Sequence, residues 1–106
     1  MTPNRFAGKV AIVTGGSMGI GRATALQLAR EGAHVIACAR RQPRLEALEA
    51  EIKEFGGSFD GVALDVADID AFAKLIAATA REHGRLDVLV NNAPSVIGGM
   101  VLDQNI

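Results

Sequence analysis

Short apolar runs constrain the fold of this chain more than any other feature of its sequence. The first run, residues 9–14, is rich in β-branched side chains and has no polar alternation. Such a run is typical of a strand buried on both faces, as in a parallel sheet that is covered by helices. The same interpretation predicts further strands over residues 34–39, 58–64 and 86–90.

Segments with helical periodicity separate these runs. The first helix is expected over residues 20–30, the second from Pro43 to Gly56, and the third from the N-cap Asp68 to Gly84. Strict alternation of strand and helix predicts a parallel sheet with crossover helices. The side chains expected to face the core share a helical spacing: Ile20, Ala23, Thr24 and Leu28, then Leu45, Leu48, Ile52 and Phe55, then Phe72, Leu75, Ile76 and Thr79.

Composition is that of an ordinary globular domain. The chain has 106 residues, 49% hydrophobic and 22% charged, with a net charge of −1, which argues against disorder and against a nucleic-acid surface. The single cysteine, Cys38, excludes an internal disulfide and a multi-cysteine metal site, and we expect no metal. Because the first residues predict neither a signal peptide nor a membrane span, we expect a cytoplasmic protein without membrane association.

A glycine-rich turn joins the first strand to the first helix. Its spacing is Gly15-x-x-x-Gly19-x-Gly21, directly after the strand and directly before the helix. A pyrophosphate needs main-chain N–H groups and a helix N-terminus, and glycines allow the backbone to approach it closely. No Gly-Lys-Ser/Thr follows, which excludes a P-loop. The turn therefore predicts a site for the pyrophosphate of a dinucleotide.

These elements together predict an α/β chain of Rossmann type, with three layers around a parallel sheet. The expected strand order is 3-2-1-4, which is the first half of the doubly wound fold and leaves it incomplete. Residues 1–106 are interpreted as one dinucleotide-binding half-domain, in which residues 95–106 form a tail without clear periodicity. The fourth strand would then be an exposed apolar edge, through which the chain is expected to self-associate.

Three segments resemble the short-chain dehydrogenase/reductase family, and the resemblance extends over residues 5–93. The first is the glycine turn, whose spacing is wider than the G-x-G-x-x-G of medium-chain dehydrogenases. The other two follow the third strand and accompany the fourth. They are Thr14-Gly15-Gly16-Ser17-Met18-Gly19-Ile20-Gly21, Asp65-Val66 and Leu86-Asp87-Val88-Leu89-Val90-Asn91-Asn92-Ala93.

The resemblance implies roles for particular residues in binding a nicotinamide dinucleotide. Ser17 and the Ile20 N–H would contact the phosphate and ribose, beside Gly15, Gly19 and Gly21 of the turn. Asp65 would accept from the adenine amino group with the Val66 backbone beside it, and Asn91 to Ala93 would line the ribose and nicotinamide. Alternative roles remain open for three of them: Asp65 as a loop cap, Asn91 as a brace of the sheet and Ser17 as a helix N-cap.

The end of the second strand indicates NADP rather than NAD. The position that carries an acid in NAD-type family members falls at Ala39, and Arg40 and Arg41 follow it. A guanidinium can hold the 2′-phosphate through two parallel hydrogen bonds, so we include Arg40 in the cofactor site. Met18 departs from the pattern, because many NADP-type members carry a basic residue there. The alternative is that both arginines are solvated at the start of a helix.

The family's catalytic residues have no counterpart in this sequence. The resemblance implies hydride transfer between nicotinamide and a small carbonyl or alcohol, with a Tyr-x-x-x-Lys pair and a Ser as acid–base groups. The chain contains no tyrosine, and its last lysine is Lys74. We therefore assign no catalytic residue, expect the chain alone to be inactive, and interpret it as part of a longer dehydrogenase. Pro94 replaces the family's usual glycine after Asn-Asn-Ala, which predicts local distortion near the nicotinamide.

Two other functions are compatible with a glycine turn after a first strand. One is a non-enzymatic dinucleotide-binding or interaction module that pairs through its open edge. The other is a methyltransferase-like half-domain, against which the Asn-Asn-Ala segment and the uncharged Ala39 both argue.

Overall fold

The structure is a computed structural model that describes residues 5–15, 19–65 and 67–91. Strands and helices alternate in the predicted order. They are β1 (Val10–Thr14), α1 (Gly19–Arg30), β2 (His34–Ala39), α2 (Gln42–Glu54), β3 (Ser58–Ala63), α3 (Ile69–His83) and β4 (Val88–Asn91). The predicted tail, residues 95–106, lies outside the described residues.

The four strands form one parallel sheet in the order β3-β2-β1-β4, which confirms the predicted order. The central strand β1 is buried along all five residues. Thr14, its last residue, lies opposite Cys38 of β2 on one side and Asn91 of β4 on the other. The carboxyl ends of these strands therefore meet at one edge of the sheet.

Helices cover both faces of the sheet, so the fold has the predicted three layers. Ala11 and Val13 of β1 belong to the core beneath α1 and α2, whereas Val10 and Ile12 belong to the core beneath α3. Successive side chains of a strand point to opposite faces, so a strand that is buried on both faces needs apolar residues throughout. This is the physical reason why apolar and polar residues do not alternate in the first run.

The prediction for the core-facing side of α1 is largely wrong. Its buried side is formed by Gly21, Ala25, Leu26, Leu28 and Ala29, so Leu28 is the one predicted residue that belongs to it. Ile20 is 77% exposed, and Ala23 and Thr24 are also not buried. Gly21, Ala25 and Ala29 are spaced four apart, and small residues in such a row let a helix lie close to a sheet.

Predictions for the other two helices are confirmed with one exception. Leu45, Leu48 and Ile52 are buried beneath α2, but Phe55 is 39% exposed because it follows the end of that helix. Its ring instead lies 5.3 Å from the Arg30 guanidinium carbon. In α3, Phe72 and Thr79 are buried, and Leu75 and Ile76 pack partly buried beside them.

The ends of α3 follow the predicted capping chemistry. Asp68 accepts a hydrogen bond of 3.1 Å from the Ala71 N–H, and Gly84 has the left-handed φ of 74°. The predicted fourth strand begins two residues too early, at residue 86. Asp87 precedes the strand, and its carboxylate accepts from the Val10 N–H at 2.8 Å. In the described residues, no helix is long and apolar enough to cross a membrane.

Candidate functional site

The glycine turn leaves the carboxyl end of β1 in a backbone conformation that suits glycine. Gly15 has a φ of 65° and Gly19 a φ of 62°, and side chains rarely tolerate such values. The Gly15 N–H donates to the Cys38 carbonyl at 3.0 Å, which fixes the start of the turn against β2. Ser17 lies outside the described residues, as do its neighbours at positions 16 and 18.

The first turn of α1 supplies the donors that an anion needs. The first N–H groups of a helix have no partner inside the helix, and Gly19, Ile20 and Gly21 carry three of them. No acidic residue lies in this turn to compete for them. A Cβ on Gly19 would meet no atom of the described residues within 4 Å, so none of those residues fills the space beside these donors. Main-chain donors of this kind at a helix N-terminus fit a phosphate group.

A side-chain hydrogen bond links β1 to β4 beside this turn. The Thr14 hydroxyl donates to Asn91 Oδ1 at 2.9 Å, and its Oγ1 also lies 3.3 Å from the Val90 carbonyl oxygen. Asn91 thus braces β1 against β4, which is the structural role left open for it in the sequence. Sequence reasoning placed Thr14 at the start of the glycine-turn segment but gave its hydroxyl no role; the signal was a polar residue at the end of an otherwise apolar strand.

A cluster of positive charge follows β2. Arg40 and Arg41 are exposed directly after the half-buried Ala39. Arg41 is the N-cap residue of α2 and makes no side-chain capping hydrogen bond, and the first turn of α2 contains no acid. Cationic groups at a helix N-terminus are unfavourable for the helix dipole. An anion bound here would relieve that unfavourable interaction.

Asp65 follows β3 and is exposed, but one of its carboxylate oxygens has a local partner. Asp65 Oδ1 accepts from the Ala67 N–H at 2.9 Å, and its carbonyl accepts from the Asp68 N–H at 2.8 Å. This is the loop-capping role left open for Asp65 in the sequence. A carboxylate has a second oxygen, so the cap does not exhaust its capacity to accept hydrogen bonds. Val66 lies outside the described residues.

Four predicted residues therefore lie together at the carboxyl edge of the sheet: Gly15, Arg40, Asp65 and Asn91 follow or end β1, β2, β3 and β4. In open parallel sheets, ligands bind outside the carboxyl ends of the strands, where the strand order reverses. That reversal falls between β1 and its neighbour β4. Ala93 lies outside the described residues.

A separate groove of about 620 Å³ lies along α1, between Ile20 and the Arg5–Glu31 pair. It begins beside the first turn of α1 but extends toward the opposite end of the helix, away from the strand ends. We therefore place the candidate site at the carboxyl edge, where donors and charge converge, and not in this groove.

Comparison with known proteins decides the family. A family model described as short chain dehydrogenase matches residues 9–105. The chain belongs to the short chain dehydrogenase family. A short chain dehydrogenase of Pseudocercospora fijiensis is 44% identical over 98% of the chain. This chain covers 35% of that relative, and it spans about a third of the length of the curated relatives that it matches.

Solved structures of two similar oxidoreductases have the same fold. A metagenomic short-chain oxidoreductase in complex with NADP has a TM-score of 0.80 and 45% identity over 83% of this chain and 40% of that one. Carveol dehydrogenase from Mycobacterium avium in complex with NAD has a TM-score of 0.76 and 31% identity over 84% of this chain and 36% of that one. The likeness therefore includes one structure with each nicotinamide cofactor.

Proposed function

We propose that this short chain dehydrogenase sequence forms the NADP(H)-binding part of an oxidoreductase. The observation that carries the proposal is that the predicted cofactor-binding residues lie together at the carboxyl edge of the sheet. There, a turn with two glycines at positive φ leads into the open N-terminus of α1, beside the strand ends of β2 and β4. Such an arrangement binds pyrophosphate through main-chain donors.

Different residues of the chain would bind different parts of the cofactor. Main-chain donors of Gly19, Ile20 and Gly21, with the Ser17 hydroxyl, would bind the phosphates and adjoining ribose. Gly15, whose N–H is bonded to the Cys38 carbonyl, would let the backbone turn toward them. Asp65 and the Val66 backbone would bind adenine, and Asn91 and Ala93 would lie beside the second ribose and nicotinamide. The bound nicotinamide would donate a hydride to a carbonyl or accept one from an alcohol.

Preference for NADP is proposed from charge. Ala39 puts no carboxylate where an acid would accept from the ribose 2′-hydroxyl and repel a 2′-phosphate. Arg40 is exposed, and within the described ranges no hydrogen bond or ion pair engages its guanidinium. It therefore supplies a bidentate donor at the N-terminus of α2, where an anion is favourable. The related structures contain NADP in one case and NAD in another, so this preference rests on Ala39 and Arg40.

We propose that the 106-residue chain binds the cofactor without turning over a substrate. The chemistry of the family needs a proton donor near the nicotinamide, which a tyrosine beside a lysine supplies, and this sequence has no tyrosine. A longer form would act on a small carbonyl or alcohol in the cytoplasm. Oxidation of NADPH by the purified chain with any carbonyl would contradict this part of the proposal.

We also propose that the chain associates with itself through β4. Among the described residues, this strand is at the end of the sheet, where it pairs with β1. An unpaired strand edge is a template for pairing with another chain. Light scattering across a concentration series should show a mass that increases with concentration; a constant monomer mass at high concentration would contradict the proposal.

A matched pair of glycine substitutions tests the dinucleotide site. Gly19 and Gly84 both have positive φ, and a Cβ on either would meet no described atom within 4 Å. Gly19→Ala and Gly84→Ala should each cost about 1 kcal/mol of stability through backbone strain. We expect Gly19→Ala alone to weaken NADPH binding, by about tenfold or more. Equal NADPH affinity in the two variants would overturn the proposed site.

A further inference from the structure

Three metal-ligating side chains converge at the amino edge of the sheet, opposite the proposed dinucleotide site. His34 is the first residue of β2, Asp60 is on β3, and His83 is the last residue of α3. One ligand atom from each side chain lies within 4.8 Å of the other two. His34 Nε2 is 3.1 Å from Asp60 Oδ2, and the rings of His34 and His83 have centroids 4.7 Å apart.

The register of the sheet brings these residues together. His34 pairs with Ser58, the first residue of β3, and Asp60 is two residues further along that strand. Residues two apart on a strand share a face, so Ser58 and Asp60 point to the same side. His34 contacts both of them, and Ile36, which shares its face, packs beneath α3. The end of α3 brings His83 to the same place.

The donor set suits a divalent cation of the zinc class. Two imidazoles and one carboxylate are common zinc ligands, at bond lengths of about 2.0–2.2 Å. Two ligand atoms of a tetrahedral zinc lie about 3.3 Å apart at those bond lengths, close to the 3.1 Å between His34 Nε2 and Asp60 Oδ2. Asp60 and His83 are exposed, so rotation of their side chains can shorten the longest separation. Their exposure also leaves room for water as a fourth ligand.

Ser58 makes the His34 ring able to change from proton donor to metal ligand. In the metal-free chain, an N–H at His34 Nε2 can donate to Asp60 while the Ser58 hydroxyl donates to Nδ1. A metal at Nε2 requires the other tautomer, in which the Nδ1–H donates to Ser58 Oγ. A hydroxyl both donates and accepts, so the same contact serves both states. The cation would lie between Nε2 and Oδ2, and the ring would keep one proton in both states, at Nε2 without the cation and at Nδ1 with it.

We propose that His34, Asp60 and His83 form a binding site for a zinc-class divalent cation, with Ser58 as the residue that positions His34. The site lies at the opposite edge from the proposed cofactor site, so the cation is not part of hydride transfer. Its effect is to tie the end of α3 to the edge strand β3. That helix has two fully buried residues, Phe72 and Thr79, so an added anchor at its end would stabilise it.

The test is titration of the tag-free, metal-stripped chain with Co²⁺ and Zn²⁺. Co²⁺ in a site of low coordination number absorbs visible light more strongly than the hydrated ion, and Zn²⁺ should displace it with 1:1 stoichiometry. In a 15N spectrum of the histidine side chains, Zn²⁺ should shift both His34 and His83.

Single substitutions separate a site from surface adsorption. His83→Ala and Asp60→Asn should each weaken Zn²⁺ binding by at least about tenfold, and Ser58→Ala by about tenfold through loss of ring positioning. Asp70→Asn removes an exposed carboxylate from the other end of α3 and should leave the affinity unchanged. Far-UV circular dichroism checks that each variant folds. His83→Ala with unchanged Zn²⁺ affinity, or a wild-type chain without saturable binding, would overturn the proposal.

Discussion

Thr14 Oγ1 donates a hydrogen bond of 2.9 Å to Asn91 Oδ1, which joins the last residues of β1 and β4. Thr14 is completely buried, so its hydroxyl has no access to water. The bond fixes the two strand ends between which the strand order reverses. Because the glycine turn starts at the next residue, Gly15, the brace also sets where the turn that leads to the proposed phosphate donors begins.

Replacing the Thr14 hydroxyl should therefore destabilise the sheet. Thr14→Val keeps the shape and removes the donor, and we expect a loss of about 1–2 kcal/mol in the free energy of unfolding, because the hydrogen bond from a buried hydroxyl to Asn91 Oδ1 is lost. Urea unfolding followed by circular dichroism measures the change. Thr24→Val is the control, since the Thr24 hydroxyl donates to the Ile20 carbonyl within its own helix. Equal effects of the two substitutions would contradict the role of the brace.

Glu31 should make stability depend on acid pH. It is 1% exposed, and its carboxylate accepts from Arg5 Nε at 2.7 Å and from Gln27. The hydrogen bond from Arg5, followed by that from Gln27, lowers the pKa of Glu31 below its usual 4.5. A carboxyl with a lowered pKa contributes stability that is complete above the unfolded-state pKa and is lost as the pH falls through the folded-state value.

The measurement is the urea midpoint of Glu31→Gln and wild type between pH 7 and pH 2. At neutral pH the variant should be less stable, and the difference should shrink as the pH falls below about 4. Glu54→Gln, at an exposed position, should follow the wild type throughout. A difference between Glu31→Gln and wild type that stays constant across this range would contradict the assigned ion pair.

Cys38 should be inert in the folded chain. Its side chain is fully buried, and burial raises the pKa of the thiol to about 12. The thiolate is the reactive form, so a thiol reagent at pH 8 should label no cysteine until denaturant is added. Ala73→Cys places a thiol on the exposed side of α3 and should add one rapidly labelled group. Rapid labelling of the wild-type chain would show that β2 is not packed as described.

The sheet was predictable because its signal is local. The β1 run is apolar at every position except its last, Thr14, and burial on both faces requires that pattern. The buried side of α1 was not predictable in the same way, because two stripes of that helix have helical spacing. Ile20 has the greater hydrophobicity, but the side with Gly21 and Ala25 allows the closer approach to the sheet.

Contacts between distant residues were beyond the sequence analysis. The Thr14–Asn91 brace depends on the pairing of β1 with β4, and neither residue type indicates which residue it will contact. The cluster of His34, Asp60 and His83 depends on strand register and on the length of α3, so no short spacing reveals it. By contrast, the position of Arg40 directly after β2 followed from the strand boundary.

Arg40 should select the 2′-phosphate. Arg40→Ala should weaken NADPH binding by about tenfold or more and leave NADH binding unchanged, because a charge-assisted hydrogen bond contributes about 1.5–3 kcal/mol. Arg81→Ala removes the same charge from the last turn of α3 and should change neither affinity. Ala39→Asp should weaken NADPH and strengthen NADH, since a carboxylate accepts from a 2′-hydroxyl and repels a phosphate. An NADPH affinity that Arg40→Ala does not alter would remove Arg40 from the site.

The most direct test of the account is calorimetric titration of the wild-type chain with NADPH and, separately, with NADH. The account predicts saturable 1:1 binding of both cofactors, with NADPH bound at least about tenfold more tightly because of the 2′-phosphate. Tighter binding of NADH would contradict the NADP preference drawn from Ala39 and Arg40. Failure of both cofactors to bind a folded chain would contradict the dinucleotide site itself.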